Sequence, residues 1–192
     1  MRKLMYGLGI MAAVSVFAMT TPNTQADIDN SAHDFVTGGS TQLTGEAEMC
    51  KPCHVPHNGN TSLGAPLWSH VQTTESFTMY TSTTSTTFDG DTSGGVSGIS
   101  KLCLSCHDGV TAMDSYAGTT GTTTMTGTPN VGVDLSNDHP VSFTYDAALV
   151  TADGGLKAPP AAYLFSGKVE CSSCHDVHGV TGVASLLRET NA

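Results

Sequence analysis

All six cysteines and three of the eight histidines fall into one pattern: Cys50-Lys-Pro-Cys53-His54, Cys103-Leu-Ser-Cys106-His107 and Cys171-Ser-Ser-Cys174-His175. An even number of cysteines in an exported chain ordinarily means disulfides. Pairing, however, does not explain a histidine after every second thiol. With histidine at ~4% of residues, three such coincidences have a chance on the order of one in ten thousand. A zinc site needs four ligands, and the pairs stand 53 and 68 residues apart, unlike a compact zinc ribbon. C-x-x-C-H is instead the attachment signature of c-type haem. Two thiols three apart on a turn form thioethers to the two vinyl groups, and the adjacent histidine reaches the iron from the same side. The pattern predicts three covalent haems c, anchored by the six cysteines, with His54, His107 and His175 as proximal ligands.

The sixth ligands must come from what remains. Five histidines are left: His33, His57, His70, His139 and His178. Methionine competes poorly, because Met1, Met5, Met11 and Met19 lie in a leader-like segment and Met49 directly precedes a motif cysteine. The histidine surplus favours bis-His irons, a low-potential arrangement relative to His/Met. Two of the five carry geometric information. Cys53-His54-Val-Pro-His57 and Cys174-His175-Asp-Val-His178 both read C-H-x-x-H. Residues three apart on a turn share one face, with Cβ atoms ~5–6 Å apart, whereas axial ligands approach an iron from opposite sides. If His57 or His178 binds iron, it therefore binds a haem beside its own, which requires close haem–haem contact. His139 precedes Pro140, which fixes the backbone just after the ring. His70 follows Trp68, the single tryptophan, suited to packing on a porphyrin face. His33 lies near Gly38 and Gly39 on a segment able to swing outward. With five candidates for three irons, one of them, His33 or His70 first, is expected to ligate an iron across a subunit boundary. The alternative is that the two spare rings are ordinary surface histidines. Asp108 and Asp176, next to proximal histidines, are expected to be solvated, the alternative being that they support those rings from behind.

The elements that position these residues must be unusual. Of 192 residues only 12% are charged, 39% hydrophobic and 6% aromatic, while 21 Gly and 28 Thr make up a quarter of the chain. That leaves too few large apolar side chains for an ordinary core at this length. A net charge of −10 with only seven Lys and Arg excludes electrostatic binding of nucleic acid or anionic lipid. Residues 1–26 read as a signal peptide, with Arg2 and Lys3, an uncharged apolar run from Leu4 to Met19, and a small-residue site at Thr24-Gln25-Ala26. Gly7, Gly9 and its short length disfavour a membrane span. Residues 27–192 then form one domain with five cationic against seventeen acidic residues, a charge of −12. The protein is expected outside the cell or on its surface, with the periplasm as the alternative. Rigid apolar haems would supply the missing core. The fold class expected is mostly coil with short helices at the motifs, a small multihaem cytochrome wrapped around a haem stack. Thr73–Thr92 reads equally as an exposed strand or an irregular loop, Thr119–Thr128 likewise, and Gly154-Gly155 with Pro159-Pro160 marks a loop before the third motif.

Several stretches resemble the doubled-CXXCH multihaem c-type cytochromes: Ser31–Phe35, Cys50–Asn58, Ala65–His70, Ser100–Gly109, Leu135–Val141 and Val169–His178. The resemblance is closest to the four-haem branch that includes extracellular cytochrome nanowires of metal-reducing bacteria. It implies a bis-His haem chain of parallel and T-shaped pairs, wrapped mostly in coil, and subunits joined end to end as a homopolymer. It also implies His33, His57, His70, His139 and His178 as the distal positions. This chain runs to Leu186–Ala192, where that branch continues into a fourth motif. The function expected is an electron conduit without catalytic residues, working by outer-sphere hopping and fed by upstream periplasmic or outer-membrane cytochromes. The alternatives are a multihaem reductase of the nitrite or hydroxylamine type and a monomeric periplasmic shuttle. A reductase needs an open iron position. Here every motif ends in His, and distal candidates outnumber irons.

Overall fold

The computed structural model describes residues 28, 31–36, 43, 46–159, 161–179 and 184–189; the expected signal peptide lies outside them. Regular structure is sparse, as the composition requires. Three helices, α1 (Gly98–His107), α2 (Ala147–Asp153) and α3 (Cys171–Cys174), join two short strands, β1 (Phe143–Thr144) and β2 (Lys168–Val169). Single 3₁₀ turns occupy Ala161–Tyr163 and Ala184–Leu186. The rest is coil, bends and isolated bridges. Among the described residues no helix is long and apolar enough to cross a membrane.

α1 and α3 carry the second and third motifs. Leu102 and Leu104 of α1 are buried with Leu43, Met113, Leu135 and Phe143, which together form the apolar core among the described residues. Buried beside them are polar groups, including Asp34, Ser100, Ser105, Asp108 and Glu170. A core this small cannot hold a chain of this length by side-chain burial alone. β1 and β2 pair antiparallel, Phe143 opposite Val169 and Thr144 opposite Lys168, so the strand pair leads directly into α3. α2 is peripheral: Asp146 caps it by accepting from the Leu149 amide at 3.0 Å, Gly154 ends it in the left-handed region, and it buries nothing.

Thr73–Thr92 is an irregular loop rather than a strand. Its hydroxyls satisfy one another locally, as between Thr81 and Thr83 at 2.6 Å, which offers the backbone an alternative to a ladder. An edge-to-face run of Tyr80, Phe88 and Phe143, with successive centroids 5.3 Å apart, pins the loop to β1.

Candidate iron-ligand and haem-attachment sites

Each motif is one turn that puts its two thiols on one face. The amide of His54 donates to the Cys50 carbonyl at 2.7 Å, and that of His175 to the Cys171 carbonyl at 3.0 Å. The second motif closes α1 itself. The thiols of different motifs also meet. The Cys103 thiol is raised well above its ordinary range by a hydrogen bond to Cys171 and by burial, with Cys53 and Cys106 adding to it. Burial, helped by Cys50, pushes Cys53 up to about 11. Burial likewise raises Cys106, with Cys53 contributing. Thiols of all three motifs thus gather near one place.

The three motif histidines, His54, His107 and His175, share one arrangement. Nδ1 lies 2.6 Å from the Pro66 carbonyl in His54, 2.7 Å from Pro129 in His107 and 2.8 Å from Ser185 in His175. A carbonyl can only accept, so Nδ1 carries the proton and Nε2 presents its lone pair. That is the tautomer and orientation in which histidine binds a metal.

In the first and third motifs the whole cradle repeats. The residue after the histidine donates to a leucine carbonyl, Val55 to Leu67 at 3.0 Å and Asp176 to Leu186 at 2.7 Å. Two residues beyond that leucine, an amide donates back to the second cysteine: Ser69 to Cys53 at 2.9 Å and Arg188 to Cys174 at 2.8 Å. Both leucines are left-handed, φ 52° and 56°. Ala65-Pro-Leu-Trp-Ser-His70 and Ala184-Ser-Leu-Leu-Arg-Glu189 are therefore equivalent return segments, and Glu189 stands where the first has His70.

Two histidine pairs face each other. The His54 and His178 rings lie 6.2 Å apart and nearly parallel, at 20°. The His33 and His107 rings lie 6.0 Å apart at 45°. A metal bound at about 2.0–2.1 Å by one nitrogen of each ring separates the two centroids by roughly 6 Å. Burial, reinforced by His107 and His178, lowers His33 to about 4, so it is neutral at pH 7. Its Nδ1 is buried without a hydrogen-bond partner. Trp68 stands edge-on to His54, 6.3 Å away at 89°.

The surroundings fit a planar apolar group. Exposed large hydrophobics are Val36, Leu67, Val71, Val110, Val131 and Leu156. All but Leu156 lie within three residues of His33, His70 or His107, or on the segments returning to His54 and His107. Apolar side chains left open around ligand rings suit a covering macrocycle. A groove of about 650 Å³ runs past Cys50, His54 and His57. Among the described residues no three His, Cys, Asp or Glu side chains converge as the ligands of a bare ion would. Four of the rings come in facing pairs, and two is the number of positions a porphyrin leaves on its iron.

The other candidates are placed differently. His57, His139 and His175 are exposed, as is His178, and among the described residues no ring faces His175 as His178 faces His54. His70 is buried, with Nδ1 2.6 Å from the Val71 carbonyl and Nε2 3.1 Å from that of Met113. His33 and His70, the two expected at a subunit boundary, both have neighbours within the chain: His33 faces His107, and His70 Nε2 also lies 3.4 Å from Cys106 Sγ. The solvated role expected of Asp108 is corrected. Asp108 is buried and accepts from the Val110 and Thr111 amides and the Thr111 hydroxyl. Burial alone would raise its pKa, but hydrogen bonds from Thr73, Thr111 and Val110 outweigh it and hold the carboxyl below the usual range. Asp176 is half-buried and pairs with Arg188 at 3.0 Å.

Sequence reasoning missed the clamping carbonyls, Arg188 and Glu170. Only the A-x-L echo between residues 65–67 and 184–186 signalled the first of these. No protein-family model matches the chain, and no curated protein matches it.

Proposed function

We propose that this protein is an exported three-haem c-type cytochrome that conducts electrons, with Cys50, Cys53, Cys103, Cys106, Cys171 and Cys174 as anchors. The observation that carries the reading is the facing of His54 by His178 and of His107 by His33, at the separation two axial ligands require. Bound haem would supply the one-electron exchange that no side chain here provides. The chain's own part is to hold and insulate. Three Nδ1–H groups fix the proximal rings against main-chain carbonyls. His178 and His33, which face His54 and His107, would serve as the second protein ligands of the first and second sites. Seventeen acidic residues favour the more positive state of whatever they surround. The resemblance to doubled-CXXCH cytochromes supports the same reading, and with it end-to-end assembly of copies supplied by upstream cytochromes. A second reading, a multihaem reductase, rests on one observation: among the described residues no ring faces His175.

Two measurements test this. The denatured secreted protein should exceed its polypeptide mass by three haems; an unmodified mass sinks the proposal. Carbon monoxide should leave the reduced protein's spectrum unchanged if His175 acquires a partner by assembly. Binding at one haem in the assembled protein would favour the reductase.

A further inference from the structure

Glu170 lies immediately before the third motif and is almost completely buried, 2% exposed. Three donors converge on its Oε2: the Ser100 amide at 3.2 Å, the Ser142 hydroxyl at 3.1 Å, and the Ser100 hydroxyl in a short hydrogen bond. The Ser100 hydroxyl in turn accepts from the Cys171 amide at 3.0 Å. Glu170 also caps α3, its amide donating to the Ser173 hydroxyl at 2.9 Å. On the other side, the Ser97 amide donates to the Ser142 hydroxyl at 3.0 Å. Lys168, the cation nearest in sequence, is directed to the Ser97 hydroxyl at 3.0 Å. The carboxylate is therefore held by hydroxyls and an amide.

The cradle is shaped for it. Gly98 opens α1 at φ 53°, and a Cβ there would sit 2.8 Å from Glu170 Oε1. The consequence reaches the thiols. Ser100 precedes Cys103 by one helical turn, and Cys171 follows Glu170 directly, so one carboxylate sets α1 against α3. A buried charge is poor value as a source of stability, since packed apolar residues do as well or better. What it supplies is direction: three bonds to one oxygen define the offset between two helices.

We propose that Glu170 is a positioning residue that fixes the separation of the second and third attachment sites, and through it the rate of electron exchange between them. The inference rests on haem being bound at both motifs. The test uses the secreted, haem-loaded protein, with haem count read by mass and exchange between haems read by two-dimensional NMR exchange spectroscopy. Glu170→Ala should keep three haems yet slow one exchange step by about tenfold or more, since small misplacements cost large factors in rate. Glu170→Gln should stay close to wild type, because its amide oxygen replaces Oε2 for all three donors. Three haems with unchanged exchange in Glu170→Ala would overturn the proposal and leave the haem reading intact. A wild-type protein without haem would instead sink the haem reading. If Glu170→Ala is not recovered folded, Ser142→Ala removes one bond to Oε2 without touching either motif. It should slow the same step to a lesser degree, and unchanged exchange there overturns the proposal equally.

Discussion

Facing rings make separable demands on single residues. His178→Ala should leave the first site with one protein ligand, and His33→Ala should do the same at the second. Each variant should retain three haems and gain one high-spin haem, seen in the visible and resonance Raman spectra. A low-spin spectrum in both variants would show that the pairs at 6.2 and 6.0 Å are not axial pairs. At this scale the motif residues stand out in the sequence, because cysteine and histidine have few uses at such spacing. The clamps do not, because a main-chain carbonyl acceptor needs no particular residue type: two are prolines, Pro66 and Pro129, and the third is Ser185. The surroundings of Asp108 are hidden for a related reason, since one of its hydrogen-bond donors, Thr73, lies 35 residues upstream.

Asp108 also belongs to α1, whose C-terminal turn it closes as C-cap, and here the acid response can be read. Its folded pKa lies below the unfolded value of about 3.9. The stabilisation it gives is thus present above that value and fades as pH falls through the lower, folded one. Asp108→Asn should lower stability at pH 7 and flatten the acid limb of a urea-midpoint profile; an unchanged limb would remove Asp108 from that role. The return segments make a second element-scale prediction. A Cβ on Gly59 would sit 2.6 Å from the Leu67 backbone, which cannot yield as a side-chain tip does. Gly59→Ala should cost about 1–3 kcal/mol by overpacking and loosen the His54 clamp, read as a lower urea midpoint. Short helices at the motifs could be foreseen from sequence. The conformation of residues 73–92 could not, because Thr-rich segments suit strand and loop alike until Phe88 meets Phe143.

Over the whole molecule, sparse secondary structure follows from composition. With 21 Gly and 28 Thr, the chain could never assemble a conventional core, and coil was the foreseeable result. Which coil contacts which was not foreseeable, since the links are isolated bridges such as His70 to Tyr116 and Thr78 to Asp134. Exposure of histidines belongs to this scale too: His57, His139, His175 and His178 are exposed, whereas His33 faces His107 and His70 is buried against the Met113 carbonyl.

The clamps and the facing pairs differ in one further respect, their distance along the chain. Each proximal ring is clamped by a carbonyl only 12, 22 or 10 residues away. The facing pairs join residues 74 and 124 positions apart, from His33 to His107 and from His54 to His178. Short loops close early and long ones late. Folding thus acquires a built-in schedule: each motif turn and its clamp can be completed locally, one at a time. The far rings arrive only when the chain has collapsed as a whole.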